Sequence, residues 1–187
     1  MIDLNKRLGL ISAITKQKQQ PSLGKTAMMK YIFILQQVYK VPIGYDYEIY
    51  NYGPYSADVM GDIQLASDFD VIKVVAVDFP NGYSGYELKP TDKTKDSIEK
   101  EKDFINLHRN SISEVINNFG DKTVKELELS STIIYVYSTH SFNNWSTAID
   151  DVSESVKKIK PHFDISVINS EYSNLEKLKV LKKITGK

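Results

Sequence analysis

Residues 45–62 read YDYEIYNYGPYSADVMGD. In the run Tyr45 to Tyr50 side chains alternate: Tyr45, Tyr47 and Ile49 point one way, and Asp46, Glu48 and Tyr50 point the other. That period of two predicts a strand over 45–52 with one face buried. Gly53-Pro54 then forces a corner, because proline fixes its own φ and biases the residue before it away from the helical region. Ser56 is a good helix cap, and Asp58 in the first turn complements the positive end of a helix dipole. Val59, Met60, Ile63, Leu65 and Ala66 give the buried face of a helix running to about Ser67. The expectation is strand, tight turn, helix, with the rest of the first half arranged around the bend.

Upstream, residues 25–40 form the most apolar helix candidate. Ala27, Met28, Tyr31, Ile32, Leu35 and Val38 make one broad stripe, widened by Met29, Phe33 and Ile34. A helix apolar over most of its circumference belongs in a core. Residues 3–15 place Leu4, Leu8, Ile11 and Ile14 at helical spacing behind a capping Asp3. Between them, 16–21 reads as a polar loop ending in proline.

Downstream, 71–79 (VIKVVAVDF) is β-branched and strand-like, 80–85 is a turn cluster, and 86–89 is the return strand of a hairpin. Helix, helix, strand, helix and hairpin is the order of a winged helix. The remainder predicts a long helix over 92–118 ended by Gly120, an apolar helix over 122–138, a loop over 139–148, a short polar helix over 149–158, and a last helix from Asp164 to about Lys183. The expected fold class is α+β and mainly helical. A winged-helix-like half with a small antiparallel sheet (1–90) joins a helical half (91–187) at a hinge from Lys89 to Asp92, and the two pack as one domain.

The chain has 187 residues, 41% hydrophobic and 26% charged, which predicts a packed core rather than disorder. It contains no cysteine, which excludes disulfides, thiolate zinc sites and thiol catalysis. The first residues lack the apolar block of a signal peptide, and no apolar run reaches the ~18 residues of a membrane span, so a cytoplasmic location is expected. Net charge is zero but unevenly placed: residues 1–40 carry seven Lys/Arg against one acid, residues 41–90 two against eight. Such a split suits two solvated faces, a basic surface for an anionic partner, or a dipolar surface for a protein.

Chemistry-bearing motifs are sparse. Ser22-Leu23-Gly24-Lys25-Thr26 imitates the end of a phosphate loop, but the required earlier glycine is Gln19 and no strand precedes it. His108, His140 and His162 share no helix face and have no thiolate to complete a metal site. His140, before Trp145, is the histidine worth testing for a hydrolase. No Gly-x-Ser-x-Gly elbow occurs. Asp150-Asp151 read as dipole complements at a helix start. No enzyme activity, cofactor or metal is expected.

Two binding readings remain. In a winged helix the element after the turn enters the major groove, yet here it holds Asp58, Asp62 and Asp68 and no cation, which a phosphate backbone repels. A nucleic-acid role would rest on Lys6, Arg7, Lys16, Lys18 and Lys25 instead. The other reading takes Tyr50, Tyr52 and Tyr55, with Pro54, as an aromatic patch for a protein partner, since aromatics give large contact area with few rotors to freeze.

The run Gly24 to Phe33, then Gly44-Tyr45-Asp46-Tyr47, then Tyr52-Gly53-Pro54-Tyr55-Ser56, resembles the YwgA-like proteins. More distantly it is similar to the SocA-like Panacea antitoxin domain, from whose pattern it departs in the tyrosine after Gly53-Pro54. Phe119-Gly120 and Lys160-Pro161-His162-Phe163 are compatible, so the resemblance spans most of the chain. It implies a mostly helical fold with a small sheet. The implied roles are toxin neutralisation, presentation of a partner to a protease, or phage defence, and no catalytic residues carry over. The leading expectation is a non-enzymatic protein-interaction module, with a winged-helix DNA-binding regulator as the alternative. The oligomeric state is open, because the apolar helices could also serve a dimer.

Overall fold

Every residue from Met28 to Leu35 is buried in α2 (Lys25–Gln37), so this helix is sheathed on all sides. The computed structural model, which describes residues 3–18, 22–78 and 84–185, builds the molecule around it. α1 (Leu4–Gln17) starts on Asp3, whose carboxylate accepts the Asn5 N–H at 2.9 Å. It buries Leu8, Leu10, Ile11 and Ile14. The 16–21 loop expectation is shortened at its start, because Lys16 and Gln17 are helical; residues 19–21 lie outside the described residues.

A short strand that sequence reasoning missed, β1 (Leu23–Gly24), precedes α2. It pairs with β5 (Ser84–Pro90), which pairs in turn with β4 (Ile72–Asp78), all antiparallel. The sheet order β1-β5-β4, with α3 (Ala57–Asp68) feeding β4, is the winged-helix arrangement. Most of the expected 80–85 turn lies outside the described residues.

The corner differs from the expected strand over 45–52. It is a small hairpin of its own, β2 (Glu48–Tyr50) against β3 (Gly53–Tyr55), closed by Asn51-Tyr52. Proline is tolerated there because Pro54 belongs to an isolated two-stranded ribbon, where its missing donor breaks no inner ladder. Tyr45 is not in a strand because Gln36 takes both of its backbone groups: the Gln36 amide donates to Tyr45 O at 2.7 Å and accepts from Tyr45 N at 2.9 Å. Gly53 has φ +84°, and a Cβ there would stand 3.0 Å from Thr132 Oγ1. The corner therefore needs glycine both for its turn and for its seat on the next helix.

In the second half the long helix expected over 92–118 is two, α4 (Thr94–Lys100) and α5 (Lys102–Phe119). The break at Glu101 carries no glycine or proline. It falls where α1 crosses, with a Cβ on Gly9 only 3.0 Å from Glu101 Cβ. α6 (Val124–Phe142) opens on a reciprocal cap between Thr123 and Glu126 and runs into the expected 139–148 loop. α7 (Ile149–Ile159) follows. The last helix is also two, α8 (Ile165–Lys177) and α9 (Val180–Thr185), split where Lys179 has φ +58°.

Both halves contribute to one apolar core, in which Ile32, Phe33 and Leu35 share a cluster with Phe119, Ile133 and Ile134. The junction between them is pinned: Thr91 Oγ1 donates to Asp70 O and Thr94 Oγ1 to Val71 O, each at 2.6 Å. The whole is an α+β, mainly helical protein with small antiparallel sheets. No helix among the described residues is long and apolar enough to cross a membrane.

Candidate functional site

The tyrosines at the corner divide by where the backbone turns them. Glu48 lies opposite Tyr55 in the ladder and Tyr50 opposite Gly53, so Glu48, Tyr50 and Tyr55 share a face. Tyr50 is 59% exposed, and its ring centroid lies 5.7 Å from that of half-buried Tyr55. Tyr52, in the turn itself, is 64% exposed. Pro54 faces the other way and is buried, so its expected place in an exposed patch is corrected: it is a structural floor, not a contact surface.

What lies beneath is unusual. Lys30, in the middle of α2, is 2% exposed; Glu128 on α6 is 5% and Lys160 after α7 is 4%. Lys160 Nζ stands 2.9 Å from Glu128 Oε1 and donates to the carbonyls of Tyr50 at 2.9 Å and Asn51 at 2.5 Å. Lys30 Nζ donates to Pro54 O at 2.5 Å. His162 Nε2 lies 3.6 Å from the same Glu128 oxygen, at the solvent edge. Two ammonium groups thus hold three corner carbonyls, those of Tyr50, Asn51 and Pro54, and the charge of one carboxylate acts on both. Burial pushes the Lys30 ammonium down to about 8; the Glu128 charge works against that and the Lys160 charge with it. Charges this deep are costly to desolvate, so their arrangement must be fixed to be tolerated.

A second charged set holds the approach to the corner. Arg7 Nε donates to Ile43 O and an Nη to Gly44 O, both at 2.9 Å, while its guanidinium lies 4.1 Å from the Tyr45 ring centre. The Tyr45 hydroxyl donates to Asp62 Oδ2 at 2.7 Å, and Arg7 approaches the same oxygen at 3.5 Å. Burial, then the hydrogen bond to Asp62, raises the Tyr45 phenol far above its ordinary range. Asp62 was expected on the exposed face of its helix; it is buried.

The cations proposed for nucleic acid do not form one surface. Arg7 is spent on the 43–45 turn and Lys18 is buried. Lys6 lies over Phe104 and Lys25 over Tyr86. Lys6 and Lys16, on one helix, are about 15 Å apart along its axis. The outer face of α3 shows Ala57, Asp58, Gly61, Gln64, Leu65 and Asp68 to solvent.

His140 is a tie. Its Nδ1 meets Ser146 O at 2.6 Å, its Nε2 meets Ser155 Oγ at 3.2 Å, and Trp145 packs edge-on against the ring. Two clefts open elsewhere: one of about 280 Å³ between α6 and α8, beside Leu129 and Val167, and one of about 460 Å³ between α1 and α4, beside Leu8 and Phe69. Neither reaches Ser155. Among the described residues, no group of three or more His, Asp or Glu could hold a metal ion.

Sequence reasoning found the aromatic corner but missed the buried charges. Lys30 sits between Met29 and Tyr31 in an otherwise apolar run, and Glu128 between Leu127 and Leu129. For Lys30 the available signal was a charge inside a helix apolar over most of its circumference; Glu128, with Lys125, Ser131 and Thr132 at its helical spacings, offered none. No family model matches this chain, and no curated protein matches it.

Proposed function

We propose that the protein is a non-enzymatic, cytoplasmic protein-docking module, in the manner of an antitoxin or a proteolysis adaptor, and that the β2–β3 corner is its contact surface. The observation that carries this reading is the exposure of Tyr50 and Tyr52 on a turn whose carbonyls are clamped from below by buried Lys160. A turn fixed before its partner arrives pays little ordering entropy on binding, and exposed tyrosines supply the anchors. The resemblance to the YwgA-like and Panacea groups supports the same class of role, including phage defence. Purification from native cells should recover a stoichiometric protein partner that is lost with Tyr52→Ala. Recovery of chaperones alone, from both proteins, would sink the proposal.

The winged-helix order of elements motivates the second reading, a DNA-binding regulator. Against it stand the carboxylates on the outer face of α3 and the dispersal of the basic residues. Such binding would fall by about 0.9 log units per phosphate contact for each log unit of salt. Absence of any duplex shift at low salt removes it.

A further inference from the structure

We infer that the segment docking on the corner is cationic and rich in arginine; this rests on the docking role proposed above. The corner offers two things at once. Tyr50 and Tyr52 present exposed rings. Among the described residues the ring–cation contacts involve Phe104, Tyr45, Tyr86, Phe163 and Tyr39, and neither corner ring is among them. A planar guanidinium is the group that stacks best on an exposed tyrosine face.

The charge carried by the corner segment itself is all of one sign. Asp46, Glu48 and Asp58 are exposed, and among the described residues none has an ion-pair partner. From residue 41 to residue 68 the sequence contains no Lys or Arg. Glu48 shares its face with Tyr50 and Tyr55, and Asp58 follows Tyr55 by three residues in the first turn of α3. Lys30 and Lys160, the two cations seen to touch the corner among the described residues, are turned inward and consumed by carbonyls and Glu128. The outer surface is therefore aromatic and anionic while its support is cationic and hidden. It suits an extended peptide that alternates arginine with small residues, and it disfavours nucleic acid and anionic lipid, whose phosphates the carboxylates repel.

The test titrates fluorescent hexapeptides of alternating arginine and serine, glutamine and serine, or glutamate and serine against the full chain, read by anisotropy. The arginine probe should bind and the other two should not. Tyr52→Ala, at a ring 64% exposed, should weaken it about two- to fivefold, and Glu48→Gln with Asp58→Asn should weaken it and flatten its salt dependence. Equal binding of the glutamine probe, or indifference to both variants, overturns the inference. A photoreactive phenylalanine in place of Tyr52, used in native cells, separates this idea from the one beneath it. Cross-linked peptides carrying arginines, from another protein, support it. Peptides without cations, or from a second copy of this chain, overturn the cationic segment alone; no cross-linked protein overturns the docking role as well.

Discussion

Lys160 Nζ lies 2.9 Å from the carbonyl oxygen of Tyr50, a contact that spans 110 residues of chain. The same ammonium sits 2.9 Å from Glu128. Removing the carboxylate strands a buried cation. Glu128→Ala should cost about 3–5 kcal/mol, the range found when one member of a buried ion pair is deleted. Urea unfolding checks this, and a loss below about 1 kcal/mol would show that the cluster is better hydrated than its burial indicates.

Lys30 gives the protein an unusual dependence on alkali. Its folded pKa, about 8, lies below the unfolded value near 10.5, so between these limits the unfolded chain binds more protons. Stability therefore rises with pH across that window, and the charged form at neutral pH costs on the order of 3 kcal/mol. Lys18, lowered by burial, pulls the same way. Above pH 10 the sign reverses. Burial raises Tyr31 and Tyr172 to about 12, and Tyr39, Tyr45 and Tyr47 higher still, so their protons are kept when folded and lost when unfolded. The denaturation midpoint should climb from pH 7.5 to about 10 and then fall. Lys30→Met should remove most of the climb and leave the fall; a flat profile in the unaltered protein contradicts the assignment.

Tyr45→Phe deletes the hydroxyl that donates to Asp62 and leaves that carboxylate, among the described residues, with the longer approach of Arg7. A hydrogen bond to a charged acceptor is worth about 1.5–3 kcal/mol, so the melting temperature should drop accordingly. Arg7→Lys should lose as much or more, since an ammonium cannot both fork to Ile43 O and Gly44 O and cover the Tyr45 ring.

Gly53→Ala meets two obstacles, a positive φ and Thr132 Oγ1 at 3.0 Å, with Ser131 Oγ at 3.2 Å. It should cost more than the 1–2 kcal/mol expected for an alanine in left-handed backbone alone. Thr132→Ala in the same chain should recover the steric part but not the backbone part. Full recovery, or none, would assign the whole cost to one cause.

Much of the fold was legible from periodicity. α1, α2, α3 and α6 announce themselves because an apolar face must repeat with the turn of the helix, and β4 does so by its run of β-branched residues. The breaks were not legible. Glu101 and Lys179 interrupt helices without glycine or proline, because contacts made elsewhere in the chain or a single left-handed residue decide them. β1 is too short for any pattern, and β3 hid behind a glycine–proline pair that reads as a turn. At the candidate site the tyrosines and acids could be seen, whereas Pro54 and Asp62 were assigned to the outside on residue type alone. Lys30, Glu128 and Lys160 went unrecognised for the same reason, since only coordinates show three charges from distant segments meeting in one apolar place.

The bridge between residues 50 and 160 also sets an order of events during synthesis. Chains emerge from the ribosome at about 5–20 residues per second, N-terminus first. The hairpin at 48–55 is thus made several seconds before the amine that will hold its carbonyls, and Lys30 waits equally long for Glu128. The β2–β3 corner is among the last parts of the molecule to be fixed, so a nascent or prematurely terminated chain carries the tyrosines without the geometry that presents them.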